Sequence, residues 1–166
     1  MRKGSSLLDE YFRDCLTPGR MVPFMHRGEW AVHSVIPELL DRAGPADVRL
    51  MSYNVSEDSL RTLFFEKRIR SLKMILDINV KRHKMDLLLF AAEMTPDIHV
   101  DSSHAKVLLI ENAGMKFGIV GSANLNLAHR YESGFWFTAG PEYDYFRGQF
   151  DTIYENSLPY DTTKSD

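Results

Sequence analysis

Val107-Leu108-Leu109-Ile110 is apolar at every consecutive position. A strand with one face in water alternates apolar and polar residues, so an unbroken run belongs to a strand covered on both sides. The stretch from His104 to Ile110, apolar beyond Lys106, therefore reads as the central strand of a sheet with a layer against each face. Asn112-Ala113-Gly114 then supplies hairpin-turn chemistry, and Met115 to Val120 returns as the partner strand.

The remaining elements are placed around that strand. Glu29 to Ala43 has helical spacing through Val32, Val35, Ile36, Leu39 and Leu40, and Gly44-Pro45 stops it. Val48 to Val55 is strand-like. Ser56-Glu57-Asp58-Ser59 caps a helix running to about Arg70. Lys73 to Val80 alternates as a strand, with Met74, Leu76, Ile78 and Val80 on one side. Lys84 to Met94 is helical, Pro96 breaks it, and Ile98 to Val100 is a short strand. Tyr131 to Ala139 is an aromatic-rich strand. Pro141 to Asn156 is a helix with Pro at its first position and Tyr145, Phe146, Phe150 and Ile153 on its buried stripe. Helices alternate with strands in the first half and strands cluster in the second, which predicts an α/β fold: a mixed β-sheet flanked by helices on both faces. Residues 1–28, punctuated by Pro18-Gly19, Pro23 and Gly28, are expected to be an irregular N-terminal extension, 29–157 the folded domain and 158–166 a flexible tail.

The single cysteine, Cys15, excludes an internal disulfide and a cysteine-rich zinc cluster. His26, His33, His83, His99 and His129 share no metal-ligand spacing, so no metal site is expected. The basic start of the chain lacks a signal-length apolar stretch, since Asp9, Glu10, Arg13 and Asp14 interrupt it, and no run approaches membrane-spanning length. A cytoplasmic protein without a membrane partner is the expectation. The net charge of -3 argues against indiscriminate nucleic-acid binding. Its distribution is uneven: residues 61–84 hold eight Lys/Arg against two acids, +6, which leaves -9 for the rest. Within that segment Lys67, Arg68, Arg70, Lys81, Arg82 and Lys84 are candidate polyanion contacts; solvated helix faces are the ordinary alternative. Trp30 and Trp136 read as core or dimer contacts, and His26, beside Arg27, as exposed or lining a groove.

The chemistry concentrates in one place. Positions i and i+2 of a strand share a side, so His104 and Lys106 project together. A desolvated ammonium is costly without an anion, so Lys106 calls for a carboxylate or a ligand. Gly121-Ser122-Ala123-Asn124 follows the return strand. Such a turn presents backbone N–H groups, a hydroxyl and an amide to an anion, although an ordinary strand-to-loop transition has the same composition. Ser122 lacks the flanking glycines of a hydrolase nucleophile elbow. Glu132, in the next strand, is placed to hold an imidazole by its second nitrogen; a charged strand-end residue is the plainer reading.

His104-x-Lys106-x4-Glu111, followed by Gly121-Ser122-x-Asn124 and Glu132, resembles the HKD signature of the phospholipase D superfamily, and most closely its single-motif, Nuc-type endonucleases. The matching order of elements runs from about residue 29 to 156. Glu111 stands where the family has Asp, at a position used for structure, and the interval to Gly121 is longer than usual, an excess assigned to the 112–114 hairpin. The resemblance implies a phospholipase D-like catalytic domain over 29–157. It implies His104, Lys106 and Glu132 as catalytic residues, and Lys106, Ser122 and Asn124 as phosphate-binding ones. Glu111 and Gly121 are motif residues with structural roles. Two H-x-K motifs meet at one site in that family: one imidazole attacks phosphorus, the other protonates the leaving oxygen, and water reverses the sequence. A chain with one motif then works as an isologous homodimer, with no cofactor and no metal.

The expected function is thus a metal-independent phosphodiesterase, a nuclease acting on DNA or RNA through a phosphohistidine. A lipid or cardiolipin phosphodiesterase would share its catalytic residues. A nucleic-acid-binding module that keeps the fold but turns over little is the rival from another class.

Overall fold

The computed structural model describes residues 5–95 and 97–160. Eight strands form one mixed sheet in the order β1-β7-β6-β5-β2-β3-β4-β8. They are β1 (Met21–His26), β2 (Ala46–Ser52), β3 (Ile69–Asp77), β4 (Ile98–Asp101), β5 (Val107–Asn112), β6 (Met115–Gly121), β7 (Glu132–Thr138) and β8 (Leu158–Pro159). β2, β3 and β4 run parallel; β5 lies antiparallel to both β2 and β6, and β7 antiparallel to both β6 and β1. The helices among the described residues are α1 (Leu7–Tyr11), α2 (Val32–Ala43), α3 (Glu57–Phe65), α4 (Ile78–His83), α5 (Met85–Met94) and α6 (Pro141–Asn156).

β5 is central, as its unbroken apolar run predicts, and its side chains feed two cores. Leu108 and Ile110 join Val35, Ile36, Leu60 and Leu88 beneath α2, α3 and α5. Val107 and Leu109 join Tyr143 and Phe150 beneath α6. Each such side chain withdrawn from water contributes roughly 1.5–3 kcal/mol. The β5–β6 hairpin closes over Ala113-Gly114, with Asn112 opposite Met115. Local chemistry sets the boundaries elsewhere. Gly44, at φ 80°, ends α2 by returning its N–H to the Leu40 carbonyl. Ser56 and Ser59 form a reciprocal capping box at the start of α3.

Several expectations are corrected. The expected irregular extension over 1–28 holds regular elements in its described part, 5–28: α1 and β1 form, and β1 pairs with β7, so the sheet extends across the expected boundary at residue 28. α1 starts at a Ser6 cap, and Leu8 and Phe12 pack into the core, where Phe12 meets Trp30 edge-on at 4.9 Å. α3 ends at Phe65 rather than near Arg70, because Ile69 and Arg70 enter β3. Ile78 and Val80 belong to α4, since Asp77 caps a helix there and ends β3. On α6 the buried tyrosine is Tyr143; Tyr145 is exposed. Both tryptophans are core residues. The expected flexible tail 158–166 begins ordered, since Leu158–Pro159 pair as β8 with β4 and the Tyr160 N–H bonds the Ile98 carbonyl; residues 161–166 and Pro96 fall outside the described residues. Among the described residues no helix is long and apolar enough to cross a membrane.

Candidate active site

One edge of the sheet gathers the C-terminal ends of β1, β2, β3, β4 and β6 and the N-terminal ends of β5 and β7. In open α/β sheets this is where ligands bind, because loops leaving the strand ends splay apart. His26, Ser52, Asp77, Gly121 and Glu132 are the terminal residues on that edge.

His104 and Lys106 lie in the segment leading into β5, not within the strand, which begins at Val107. They still converge. Lys106 Nζ is 2.9 Å from His104 Nδ1 and donates to the His104 carbonyl at 2.7 Å. With Lys106 protonated, Nδ1 is the acceptor and the neutral ring carries its hydrogen on Nε2. Tyr53, just past β2, backs both groups: its ring centroid is 4.4 Å from the imidazole centroid and 5.5 Å from Nζ. Both hydrogen bonds of Lys106 go to His104, and among the described residues it has no carboxylate partner. Burial pushes its ammonium below the usual lysine range; the Glu132 charge opposes this and Arg130 adds to it. His104 itself is exposed.

The loop is tied down from β3. Buried Asp77 accepts the N–H of Ser103 at 2.8 Å through one oxygen and the N–H of Asn79 at 2.8 Å through the other. Burial acts to raise its carboxyl, but these bonds and the neighbouring imidazole bring it below the usual carboxylate range. Sequence reasoning missed Asp77 and Tyr53. The Asp77-x-Asn79 start of a helix was the available signal, hidden by the apolar alternation that continues through Val80.

The second half of the set is arranged differently from expectation. Glu132 is buried, and its carboxylate does not reach His104: one oxygen accepts from the Ser122 hydroxyl and the other from Arg130 Nε at 3.2 Å. Ser122 Oγ also accepts the Ser133 N–H at 3.0 Å. The Ser122 hydroxyl hydrogen is therefore committed to Glu132 rather than free for a phosphate. Asn124 is buried and its Oδ1 accepts the Asn54 N–H at 3.1 Å, leaving Nδ2 without a hydrogen bond among the described residues. At Gly121 a Cβ would sit 2.4 Å from the Ser133 carbonyl oxygen, so close β6–β7 approach at this edge requires glycine.

Glu111 lies at the opposite end of β5, where it accepts from Arg49 at 2.8 Å and meets Arg147 at 3.0 Å; Arg49 also bonds Asp151. The basic segment does not form one surface. Arg68 is paired with Glu66 and Asp41, and Arg70 with Asp47, at the end of β3 away from His104; exposed Lys67 precedes that end. Lys81 and Arg82 are exposed on α4, which follows Asp77 at the site edge. Lys84 is turned inward, donating to the Val55 carbonyl at 2.7 Å. The split arises because β3 spans the whole sheet between the two groups.

No family model matches the sequence, and no curated protein matches it. Solved structures do. Nuc from Salmonella typhimurium, a phospholipase D family member, superimposes with a TM-score of 0.67 at 18% identity, over 86% of this chain and 100% of that one. The chain has a phospholipase D fold. NucT from Helicobacter pylori gives a TM-score of 0.62 at 13% identity, covering 85% of this chain and 100% of NucT. The archaeal chromatin protein TrmBL2 gives 0.54 at 15% identity, covering 83% of this chain and 54% of TrmBL2.

The phospholipase D fold of this chain thus presents one imidazole–ammonium pair, a buried carboxylate–hydroxyl pair and an amide along one sheet edge. His26 ends β1 beside Glu132 and is buried against Trp30, with ring centroids 4.2 Å apart and Nδ1 3.4 Å from Glu29; it is neither exposed nor groove-lining. His33 and His99 are buried against Asp58 and Ser157. Among the described residues no three His, Cys, Asp or Glu side chains gather as metal ligands.

Proposed function

We propose that this chain is a metal-independent phosphodiesterase of the phospholipase D superfamily that cleaves nucleic acid at a site completed by a second copy of itself. The observation that carries the proposal is the 2.9 Å contact between Lys106 Nζ and His104 Nδ1, made by a half-buried ammonium with no carboxylate partner among the described residues, beside an exposed imidazole. A cation held this way is completed by an anion from outside, and a phosphate diester supplies one. The likeness to Nuc and NucT supports the same reading.

The reaction needs two imidazoles. Nε2 of one neutral His104 attacks phosphorus while the partner's His104, as the imidazolium, gives its Nε2 proton to the leaving oxygen and becomes neutral, so that a P–N bond forms as the P–O bond breaks. The second imidazole, now basic, takes a proton from water. The resulting hydroxide oxygen bonds phosphorus and the P–N bond breaks, restoring both rings. Nucleophilic Nε2 requires the ring hydrogen on Nδ1. Lys106 moving from Nδ1 onto a non-bridging phosphate oxygen permits that tautomer and stabilises the charge developing there. The amide of Asn124 supplies a further donor.

Lys81 and Arg82 on α4, with Arg130, set positive charge along the site edge and favour nucleic acid over a lipid head group. The likeness to TrmBL2, whose structure shows a mode of DNA binding, supports a second reading, binding with little turnover. The test is incubation with single- and double-stranded DNA, RNA, lipid vesicles and bis(p-nitrophenyl) phosphate, with EDTA present, for the wild type and His104→Asn. Nucleic-acid cleavage that survives EDTA and disappears in the variant is expected. Tight binding without cleavage by either protein selects the binding module; hydrolysis of lipid alone rejects the nuclease.

A further inference from the structure

Lys106 cannot hold the imidazole and a phosphate with the same contact. It bonds His104 Nδ1 in the structure, and in the reaction proposed above it moves to a phosphate oxygen. The ring then loses its hydrogen-bond partner at the moment when its aim matters most. Glu132, expected to take over at the second nitrogen, is bonded to Ser122 and Arg130. Among the described residues no carboxylate bonds the imidazole, and the group that stays against it is the ring of Tyr53. The two ring centroids are 4.4 Å apart with the planes inclined at 44°, and Lys106 Nζ is 5.5 Å from the same phenol centroid. An aromatic ring attracts a cation over its face at such separations.

Tyr53 is itself tied down from several directions. Ser52, before it, donates to the Asn54 carbonyl at 2.5 Å and accepts the Leu125 N–H at 3.1 Å. Asn54, after it, gives its N–H to Asn124 Oδ1 at 3.1 Å, so the amide expected to meet phosphate also fixes the backbone beside Tyr53. At the tip of the ring, Asn79 Nδ2 donates to the phenol oxygen at 3.3 Å and to Asp77 Oδ1 at 2.6 Å. The other oxygen of Asp77 accepts the Ser103 N–H. One carboxylate thus anchors the backbone before His104 and, through Asn79, the ring set against its side chain. Resting on the shared-site reading above, we infer that Tyr53 is the positioning residue that keeps the His104 imidazole aimed at phosphorus while Lys106 is engaged by the phosphate. It stands in for a carboxylate that would orient the ring through Nδ1. A carboxylate fixes one tautomer. An aromatic wall restrains the ring without claiming a proton from either nitrogen. The same wall therefore serves the neutral nucleophile in one subunit and the imidazolium acid in the other.

The test is steady-state and single-turnover kinetics of the full chain on bis(p-nitrophenyl) phosphate with EDTA present. It compares the wild type, Tyr53→Phe, Tyr53→Leu and Tyr53→Met, each with its thermal midpoint. Phenylalanine keeps the ring and loses only the Asn79 bond; leucine and methionine keep apolar bulk and lose the ring. The inference gives Tyr53→Phe most of the wild-type kcat. Tyr53→Leu and Tyr53→Met lose on the order of 10- to 100-fold in kcat, as for a reacting group displaced by about 1 Å. KM changes little, and phosphohistidine forms more slowly in the first turnover. Methionine, the more adaptable side chain, carries the test if the leucine variant fails to fold. A folded leucine or methionine variant that turns over like the wild type overturns the inference. So does a Tyr53→Phe variant as slow as the leucine one, which moves the effect to the hydroxyl. A wild type that hydrolyses neither this ester nor DNA or RNA overturns the reading on which the inference rests.

Discussion

Asp77 Oδ2 accepts the backbone N–H of Ser103 at 2.8 Å, so the end of β3 fixes the loop one residue before His104. The carboxylate touches no reacting atom and acts as a positioning group. Asp77→Ala frees the loop, and a misplacement of about 1 Å costs on the order of 100-fold in turnover. Asp77→Asn, which keeps an acceptor, recovers most of it. Steady-state kinetics on both variants check this: kcat falls with little change in KM for the alanine, whereas a merely structural role gives parallel losses of folded protein.

Lys106→Ala removes the ammonium meant for the phosphate. Turnover falls on the order of 100- to 1,000-fold, the usual loss for one donor at developing charge. Stability does not fall with it, because Lys106 is held below its ordinary range by burial and has only His104 to bond. Thermal unfolding alongside bis(p-nitrophenyl) phosphate hydrolysis decides the point: an aggregated or cold-melting variant shows a structural lysine.

Glu111→Ala separates stability from chemistry in the opposite sense. It strips Arg49 and Arg147 of a shared, mostly buried carboxylate while Asp151 remains to Arg49. Removing one partner of such a pair costs about 3–5 kcal/mol, seen in denaturant unfolding. Turnover per folded molecule stays unchanged, since the network lies at the far end of β5.

Acid destabilises the fold through two buried imidazoles. Burial holds both His33 and His99 below the ordinary histidine value of 6.5, although Asp58 and the 154–157 backbone pull the other way. Their folded-state values lie below the unfolded ones, so the stability they contribute is present above about pH 6.5 and is lost as pH falls, because the unfolded chain takes up protons first. Urea unfolding between about pH 7 and pH 5 shows this decline, and His33→Gln/His99→Gln flattens it. An equally steep decline in that variant assigns the effect to other groups.

The fold was legible where one physical signal acted alone. Val107 to Ile110 had to be covered on both faces, Ala113-Gly114 had to turn, and Pro141 opened α6. Misreadings arose where two signals competed. Met74 to Val80 keeps an apolar alternation through a point at which Asp77 caps a helix, so the strand was read too long and the residue that fixes His104 was passed over. β1 was hidden because Pro23 and Gly28 read as loop, although an edge strand accommodates a proline whose missing N–H faces no neighbour. The site residues were legible as a set, and His104 and Lys106 do meet. The Ser122–Glu132 bond was not legible, since it depends on β6 and β7 approaching closely at Gly121 and Gly134, a tertiary relation that spacing does not encode.

Everything chemical rests on two copies of His104 serving one phosphorus atom. Wild-type and His104→Asn chains, co-refolded at varied ratios and assayed for phosphodiester cleavage, test this directly. If both imidazoles are needed, activity follows the square of the wild-type fraction, about one quarter at an equal mixture. Activity proportional to the wild-type fraction, about one half at the same point, contradicts a shared site.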